Sequence, residues 1–175
     1  MACTSYTLSG LNVGCKDSLG GIKEVYIAPY DEINLVTVTD GKISAISANE
    51  HFKTFKFRKN TGSMTSTLQV SENGGNSVQT ELTLQFMKME TAKRVQMMAL
   101  FMTECAAIVL DTNGKYWYLG YDYPIEASSG TAQTGTNLSD LNGYDITLTD
   151  TSRELPYEVN ADVIANIIEA APVSA

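Results

Sequence analysis

The stretch that decides the fold lies at residues 64–86 and reads MTSTLQVSENGGNSVQTELTLQF. Apolar and polar side chains alternate from Met64 to Val70, and they alternate again from Glu81 to Phe86. A period of two residues is typical of a β-strand with one buried and one wet face. The segment 72–76, which contains two adjacent glycines, predicts a flexible turn. The stretch therefore predicts two long strands that share a polar face.

The polar positions of these two strands are the candidate functional residues of the chain. They are threonine, glutamine and glutamate side chains that occur at every second position, so each strand presents them on one side. The six residues are Thr65, Thr67, Gln69, Glu81, Thr83 and Gln85.

Strand patterns continue on both sides of this stretch. They are rich in β-branched and aromatic residues and are bounded by turn residues such as those at Asp40-Gly41 and Asn113-Gly114. The polar segment 128–136 predicts a loop or a weakly packed edge. The predicted strands are 22–28, 33–39, 42–47, 106–110, 115–119 and 144–149.

One helix is predicted between about residues 90 and 103. Apolar side chains recur there at steps of three and four residues, as on one face of an amphipathic helix. The predicted buried face carries Ala92, Val95, Met98 or Ala99, and Met102. The same spacing favours core packing over a methionine-lined binding groove for the cluster of methionines around this helix.

Composition excludes several classes of protein. The chain has 175 residues, 43% of them hydrophobic, so one packed domain is expected and overall disorder is not. We expect no membrane span and no signal peptide. Cys3, Cys15 and Cys105 form no CxxC pair and are expected to be thiols. The net charge of −8 would repel a polyanion, so adhesive contact with DNA is not expected.

No residue pattern predicts catalysis, a cofactor or a metal. His51 is the single histidine, and it follows Glu50 at the start of a short apolar segment. Neither a phosphate-binding glycine loop nor a zinc spacing occurs. Basic and aromatic residues do interleave over 52–59, as in some nucleic-acid surfaces, but strand alternation favours buried rings and a solvated charged face. An enzyme is therefore not expected.

The two ends of the chain differ from the middle. Residues 1–21 have no sustained period and predict an N-terminal arm, and residues 22–157 predict the β domain. Residues 158–175 are interpreted as a C-terminal arm that forms either a helix or an extended segment. Its apolar stripe consists of Val163, Ile164, Ile167 and Ile168. The stripe is expected to bury against a neighbouring subunit or ring, with an intramolecular cap on the sheet as the alternative.

Three segments resemble the tail-tube, or major tail, proteins of long-tailed bacteriophages, especially virion proteins of phages that infect Bacteroidetes. The first is GGIKEVYIA at residues 20–28, and the second is GKYWYLG at residues 114–120. The third is the glycine series Gly130, Gly135 and Gly143, which continues as YDITLT and is followed by Glu154-Leu-Pro156. Their order and spacing span roughly residues 20–157.

This resemblance implies a mainly β fold, an antiparallel sandwich or partly rolled barrel with one flanking helix and extended terminal arms. It also implies hexameric rings that stack into a tube for DNA passage. The six polar residues above would then face the lumen or a neighbouring subunit, and the C-terminal stripe would tie rings together. The implied partners are further copies of the chain, other tail proteins and transiently passing DNA, in a tail assembled in the host bacterial cytoplasm.

Two other functions remain open from the sequence. A head-to-tail connector or another ring-forming virion protein would share the same β-rich fold. A carbohydrate-binding or adhesin-like sandwich would use aromatic side chains as stacking platforms. The aromatic residues available for that role are Tyr116, Trp117, Tyr118, Tyr121 and Tyr123.

Overall fold

The computed structural model describes residues 8–169. Within them, β-branched and alternating segments form strands, and two short stretches form α-helices, α1 (Thr91–Met102) and α2 (Ala161–Ile167). The strands are β1 (Ile22–Pro29), β2 (Ile33–Thr39), β3 (Lys42–Ala48), β4 (Lys53–Phe55), β5 (Gly62–Gln69), β6 (Ser77–Met87), β7 (Cys105–Asp111), β8 (Tyr116–Leu119), β9 (Glu126–Gln133), β10 (Gly143–Ser152) and β11 (Tyr157–Val159).

The strands form two sheets. A seven-stranded sheet has the order β2-β3-β11-β8-β7-β1-β4, and a four-stranded sheet has the order β5-β6-β10-β9. All neighbours are antiparallel except β3 and β11, which are parallel. Over the described residues neither sheet closes on itself, so the chain is a sandwich-like, mainly β protein. The predicted fold class is confirmed.

The main core lies between the two sheets. Strand alternation turns Leu82, Leu84 and Ile146 of the four-stranded sheet inward, where they meet Val25 and Val109 of the seven-stranded sheet. Each of these five side chains is at most 1% exposed. Burying one aliphatic side chain of this size contributes about 1.5–3 kcal/mol, so this layer is a main source of stability.

Helix α1 closes one side of the sandwich, but the predicted buried face was wrong. Met97 and Leu100 enter the core, whereas Val95, Met98 and Met102 are 52%, 50% and 82% exposed. Apolar residues occur almost all round this helix, so spacing alone did not identify the side that faces the sheet. The predicted position of the helix is confirmed.

A second apolar cluster lies on the other face of the seven-stranded sheet. Phe52 and Ile43 are fully buried there, beside Ile164 and Ile167 of helix α2. The Phe52 N–H donates to the Ile167 carbonyl at 2.7 Å, and the Glu169 N–H donates to the Phe52 carbonyl at 2.9 Å. Helix α2 is thereby fixed to the sheet by both packing and backbone hydrogen bonds.

This packing corrects the description of residues 158–169 as an arm. The predicted boundary at residue 157 falls inside strand β11, which pairs with β8 and β3. Ile164 and Ile167 are 6% and 8% exposed within one chain, and Val163 and Ile168 are half-buried beside them. Of the two alternatives, the apolar stripe forms the intramolecular cap, because its side chains already pack on the sheet of their own chain. Residues 170–175 of the predicted arm lie outside the described residues.

The N-terminal segment 8–20 forms no regular element and lies outside the packed layers. Leu8, Leu11 and Val13 are almost fully exposed. The segment joins the domain at Leu19, whose N–H donates to the Asn113 side chain at 2.9 Å. Cys15 in this segment is an exposed thiol and Cys105 in β7 is a buried one, while Cys3 lies outside the described residues.

Candidate functional site

The six predicted polar residues lie together on the outer face of the four-stranded sheet. In the register of β5 with β6, Thr65 is opposite Glu81 and Ser63 is opposite Thr83. The residues between these positions point into the core, because alternate side chains of a strand leave opposite faces. Thr65, Thr67, Gln69 and Glu81 are exposed, whereas Thr83 and Gln85 are half-buried.

The same face continues across strand β10, which sequence reasoning did not include. The Gln85 side-chain amide donates to the Asp145 carboxylate at 2.9 Å. The Thr83 and Thr147 hydroxyls lie 3.4 Å apart. The alternating pattern of residues 144–149 predicted a strand with one polar face, but only the pairing of β10 with β6 places that face beside the six residues.

The strands of this face carry negative side chains and no positive ones. None of the four strands β5, β6, β9 and β10 contains a lysine or an arginine. Glu81, Glu126 and Asp145 carry carboxylates on it, and most of its other side chains are threonine, serine and glutamine. Such a surface is neutral to acidic over its whole width and offers no cation to a phosphate backbone.

Both edges of the four-stranded sheet are open within the described chain. β5 and β9 are its outer strands, and each pairs on one side only. Each is eight residues long and mostly exposed, so each leaves a row of backbone N–H and C=O groups without a strand partner. Open edges of this length are normally blunted by charge, proline or a bulge, and they are a template for pairing with another chain.

The six connections of this sheet separate by charge into two ends. One end is formed by connections 70–76, 120–125 and 153–156, and we call it the acidic end. It contains three carboxylates and one cation, Arg153, so its net formal charge is −2. These carboxylates are Glu72, Asp122 and Glu154.

The opposite end is formed by connections 56–61, 88–90 and 134–142, and we call it the basic end. It has two carboxylates, Glu90 and Asp140, and a net formal charge of +2. Lys93 and Arg94 in the first turn of α1 add two further cations beside it. The four cations of the connections are Lys56, Arg58, Lys59 and Lys88.

Local contacts hold the basic end in place. The Lys93 ammonium donates to the Met87 carbonyl at 2.6 Å, and the Lys88 N–H donates to the Asn142 carbonyl at 2.6 Å. The Lys88 side chain pairs with Glu90, and this contact lowers the pKa of Glu90 and raises that of Lys88. Lys88 and Lys93 are thus tied to the ends of β6 and β10, whereas Lys56 pairs with Glu24 of β1 at 3.6 Å.

Loop 134–142 of the basic end has a fixed shape. The Asp140 carboxylate accepts hydrogen bonds from the Thr136 and Asn137 N–H groups at 2.9 and 2.7 Å. These bonds lower the pKa of Asp140, because they stabilise its charged form. Leu138 lies within this hydrogen-bonded turn and is completely exposed.

The inner face of the four-stranded sheet carries one buried carboxylate, near the acidic end. Asp150 is 2% exposed, and its Oδ1 atom has no hydrogen-bond partner in the protein. The Tyr118 hydroxyl is also buried without a partner, and both residues line a cavity of about 10 Å³, close to the size of one water molecule. Burial raises the pKa of Asp150 to about 6, against an opposing hydrogen bond from the Gly120 N–H.

The aromatic residues considered for glycan stacking do not form one platform. Tyr118 is 1% exposed, and Tyr116 and Trp117 are half-buried in the seven-stranded sheet. Tyr121 and Tyr123 are exposed, in the connection that precedes β9. Because strand alternation separates the members of the set, the described structure gives no specific support to a carbohydrate site.

A groove of about 730 Å³ runs between β4 and α1 and reaches Glu169. Phe55, Phe86 and Met97 contribute apolar walls, and Lys53 pairs with Glu169 at its rim. This contact lowers the pKa of Glu169 and raises that of Lys53. The raised pKa keeps the Lys53 amine protonated, and a protonated amine is not a nucleophile.

The described residues contain no group of three or more His, Cys, Asp or Glu side chains placed to hold a metal ion. Among them, no helix has the length and apolar character needed to span a membrane. Comparisons with protein-family models, with curated proteins and with solved structures find no match for this chain.

Proposed function

We propose that this chain is a structural virion protein that assembles into rings, and that the rings stack into a phage tail tube through which DNA passes. The observation that carries the proposal is the outer face of the four-stranded sheet. That face is polar, has no lysine or arginine on its strands and is bordered by two open edges. A channel for DNA needs a lining without cations, because lysine or arginine side chains on it would retain the phosphate backbone of passing DNA.

The directions of the two open edges support ring closure. β5 runs antiparallel to β6, β6 to β10, and β10 to β9, so β5 and β9 run in opposite directions. When copies are related by rotation about one axis, β9 of one copy lies antiparallel to β5 of the next. Repetition of this contact pairs both open edges of the four-stranded sheet and gives a continuous antiparallel barrel.

Alternation then determines what each side of the barrel meets. Thr65, Glu81 and Thr147 would face the lumen, while the buried side chains between them already pack on the seven-stranded sheet. The second sheet and α2 would form the outer wall. Six copies per ring is the number that the family resemblance implies.

The first experiment is negative-stain electron microscopy of the purified chain, with its mass measured by light scattering over a concentration series. Rings with an open lumen are expected, and stacks of rings favour the tube over a connector. A chain that stays monomeric at every concentration, also when mixed with preformed tail tips, contradicts the proposal.

Proline substitutions in β9 test whether the open edge forms the ring contact. Thr131→Pro and Ala132→Pro remove neighbouring N–H groups, which point to opposite sides of the strand. One variant therefore loses a hydrogen bond to β10, and the other loses a donor at the open edge. The variant that loses only the donor at the open edge should keep the circular dichroism spectrum of the wild type and fail to form rings. Rings from both variants would contradict edge pairing.

A further inference from the structure

The two ends of the four-stranded sheet differ in charge and also expose apolar side chains. Val70, Tyr123 and Leu155 at the acidic end are 75%, 56% and 64% exposed. At the basic end Leu138 is completely exposed and Met89 is 40% exposed. Large apolar side chains in connections at both ends of one sheet are a feature of contact surfaces, where an apolar centre is surrounded by a charged rim.

We infer that the acidic end of one copy docks on the basic end of a copy in the next ring, with Leu138 as the apolar contact. This inference rests on the proposed ring assembly and names the surfaces that stack. Charge complementarity identifies the occupant as a second copy of this chain, because the formal charges of −2 and +2 are carried by opposite ends of the same sheet.

The geometry makes this contact head to tail. The two ends are separated by the length of β6 and β10, which pair over ten residues from Gly143 to Ser152. A surface at one end that fits a different surface at the other end is heterologous, and repetition along an axis gives an open filament. Two acidic ends or two basic ends facing each other would repel, so the charges also favour a single polarity along the filament.

The contact residues are held in place before docking. Two backbone hydrogen bonds to Asp140 fix the turn that carries Leu138. At the acidic end, the Arg153 N–H donates to the Asp122 carboxylate at 2.8 Å and joins two of the three connections. Ordered surfaces lose less conformational entropy when they bind, which strengthens the contact for the same buried area.

The test compares Leu138→Asp with the matched control Leu35→Asp. Leu35 is 61% exposed on β2, the edge of the seven-stranded sheet, and belongs to neither end. Leu138→Asp should form rings of normal mass but raise the concentration needed for tubes by about tenfold or more, the effect of losing a central contact residue. Leu35→Asp should form tubes at the wild-type concentration.

A charge-reversal series tests the rim independently. Arg58→Glu with Lys88→Glu should weaken stacking, because both ends then carry a net formal charge of −2. Adding Glu72→Lys in the same chain should restore part of it, because the acidic end then has a net formal charge of 0 and no longer repels the reversed end. Added salt should weaken stacking of the wild type and strengthen that of the Arg58→Glu, Lys88→Glu chain, whose two ends both carry a net formal charge of −2 and repel each other.

The outcomes separate the two proposals. Tubes from Leu138→Asp and from the charge-reversed chain at the wild-type concentration overturn the stacking inference while leaving ring assembly intact. A wild-type chain without rings contradicts the ring proposal and, with it, the inference. Rings without tubes in both variants, with tubes in the control, support both.

Discussion

The two sheets of this protein differ in how much of their surface is covered. The seven-stranded sheet is covered on both faces, by the four-stranded sheet on one side and by α2 on the other. The four-stranded sheet is covered on its inner face only, and its outer face and edges stay open. The difference separates a sheet that is packed on both faces from one that leaves a face free, and the proposed assembly would use the free face and its edges.

The largest expected effect removes the cover of the seven-stranded sheet. Phe52 is fully buried and is joined to α2 by backbone hydrogen bonds. Phe52→Ala should lower the free energy of unfolding by about 3–5 kcal/mol, the usual cost of truncating a buried aromatic side chain. Urea denaturation measures this change, and a loss below about 1 kcal/mol would show that the second cluster contributes little.

A smaller effect is expected from helix α1, where neighbouring methionines provide a matched pair. Met97 is 3% exposed and Met98 is 50% exposed. Met97→Ala should lower the free energy of unfolding by about 2–4 kcal/mol, because it leaves a cavity beside the core. Met98→Ala should change it by less than about 1 kcal/mol. Equal losses in urea denaturation would contradict the observed orientation of the helix.

Asp150 is a carboxylate buried in the four-stranded sheet, so its replacement by a neutral side chain should stabilise the protein at pH values where the carboxylate is charged. Its pKa is about 6 in the folded chain and near 4 when unfolded, so the folded state binds the proton more tightly. The contribution of this group is therefore favourable below about pH 4 and is lost as pH rises through about 6.

Asp150→Asn removes that loss and should raise the free energy of unfolding at pH 8 by about 1–3 kcal/mol. The advantage over the wild type should disappear at about pH 4, where both side chains are neutral. Chemical denaturation of both proteins at the two pH values measures the difference. An advantage that does not depend on pH would show that Asp150 does not titrate in this range.

The smallest effect on stability is expected on the open face. Thr147→Lys places a cation on the outer side of β10 and should change the free energy of unfolding by less than about 0.5 kcal/mol. Assembled particles of this variant should bind DNA in filter-binding assays at low salt, unlike those of the wild type, and release it as salt increases. Strong destabilisation would show that the outer face contributes to the fold after all.

The sequence predicted this division unevenly. β5 and β6 were predicted because apolar and polar side chains alternate over several residues. Residues 128–136 were predicted to be a loop or a weakly packed edge, and β9 is indeed the exposed edge strand of the four-stranded sheet. Its glycine, alanines and serines provide no alternation that would have identified it as a strand. Gly130 of that strand has no side chain where Phe101 packs, and a Cβ there would lie 2.2 Å from the ring. Such a contact between distant segments has no local signal.

The candidate surface, too, could be predicted only where it depends on local sequence patterns. The six polar residues of β5 and β6 share one face as predicted, because both strands follow a period of two. The contribution of β10 and the separation of charge between the two ends depend on which strands are neighbours. Arg58 and Lys88 are thirty residues apart in the sequence, yet the Arg58 guanidinium lies 3.6 Å from the Met87 sulfur. Only the topology brings them together.

The even number of strands in the smaller sheet has a consequence for the channel of the proposed tube. Because its outer strands run in opposite directions, any number of copies can close by antiparallel pairing. Strand parity then sets no ring size, and the angle between neighbouring copies sets it instead. The bulge in the pairing of β9 with β10, next to Thr147, twists the strand at this edge. Channel diameter would thus be a property that single substitutions at one strand can alter, without any change in the domain behind it.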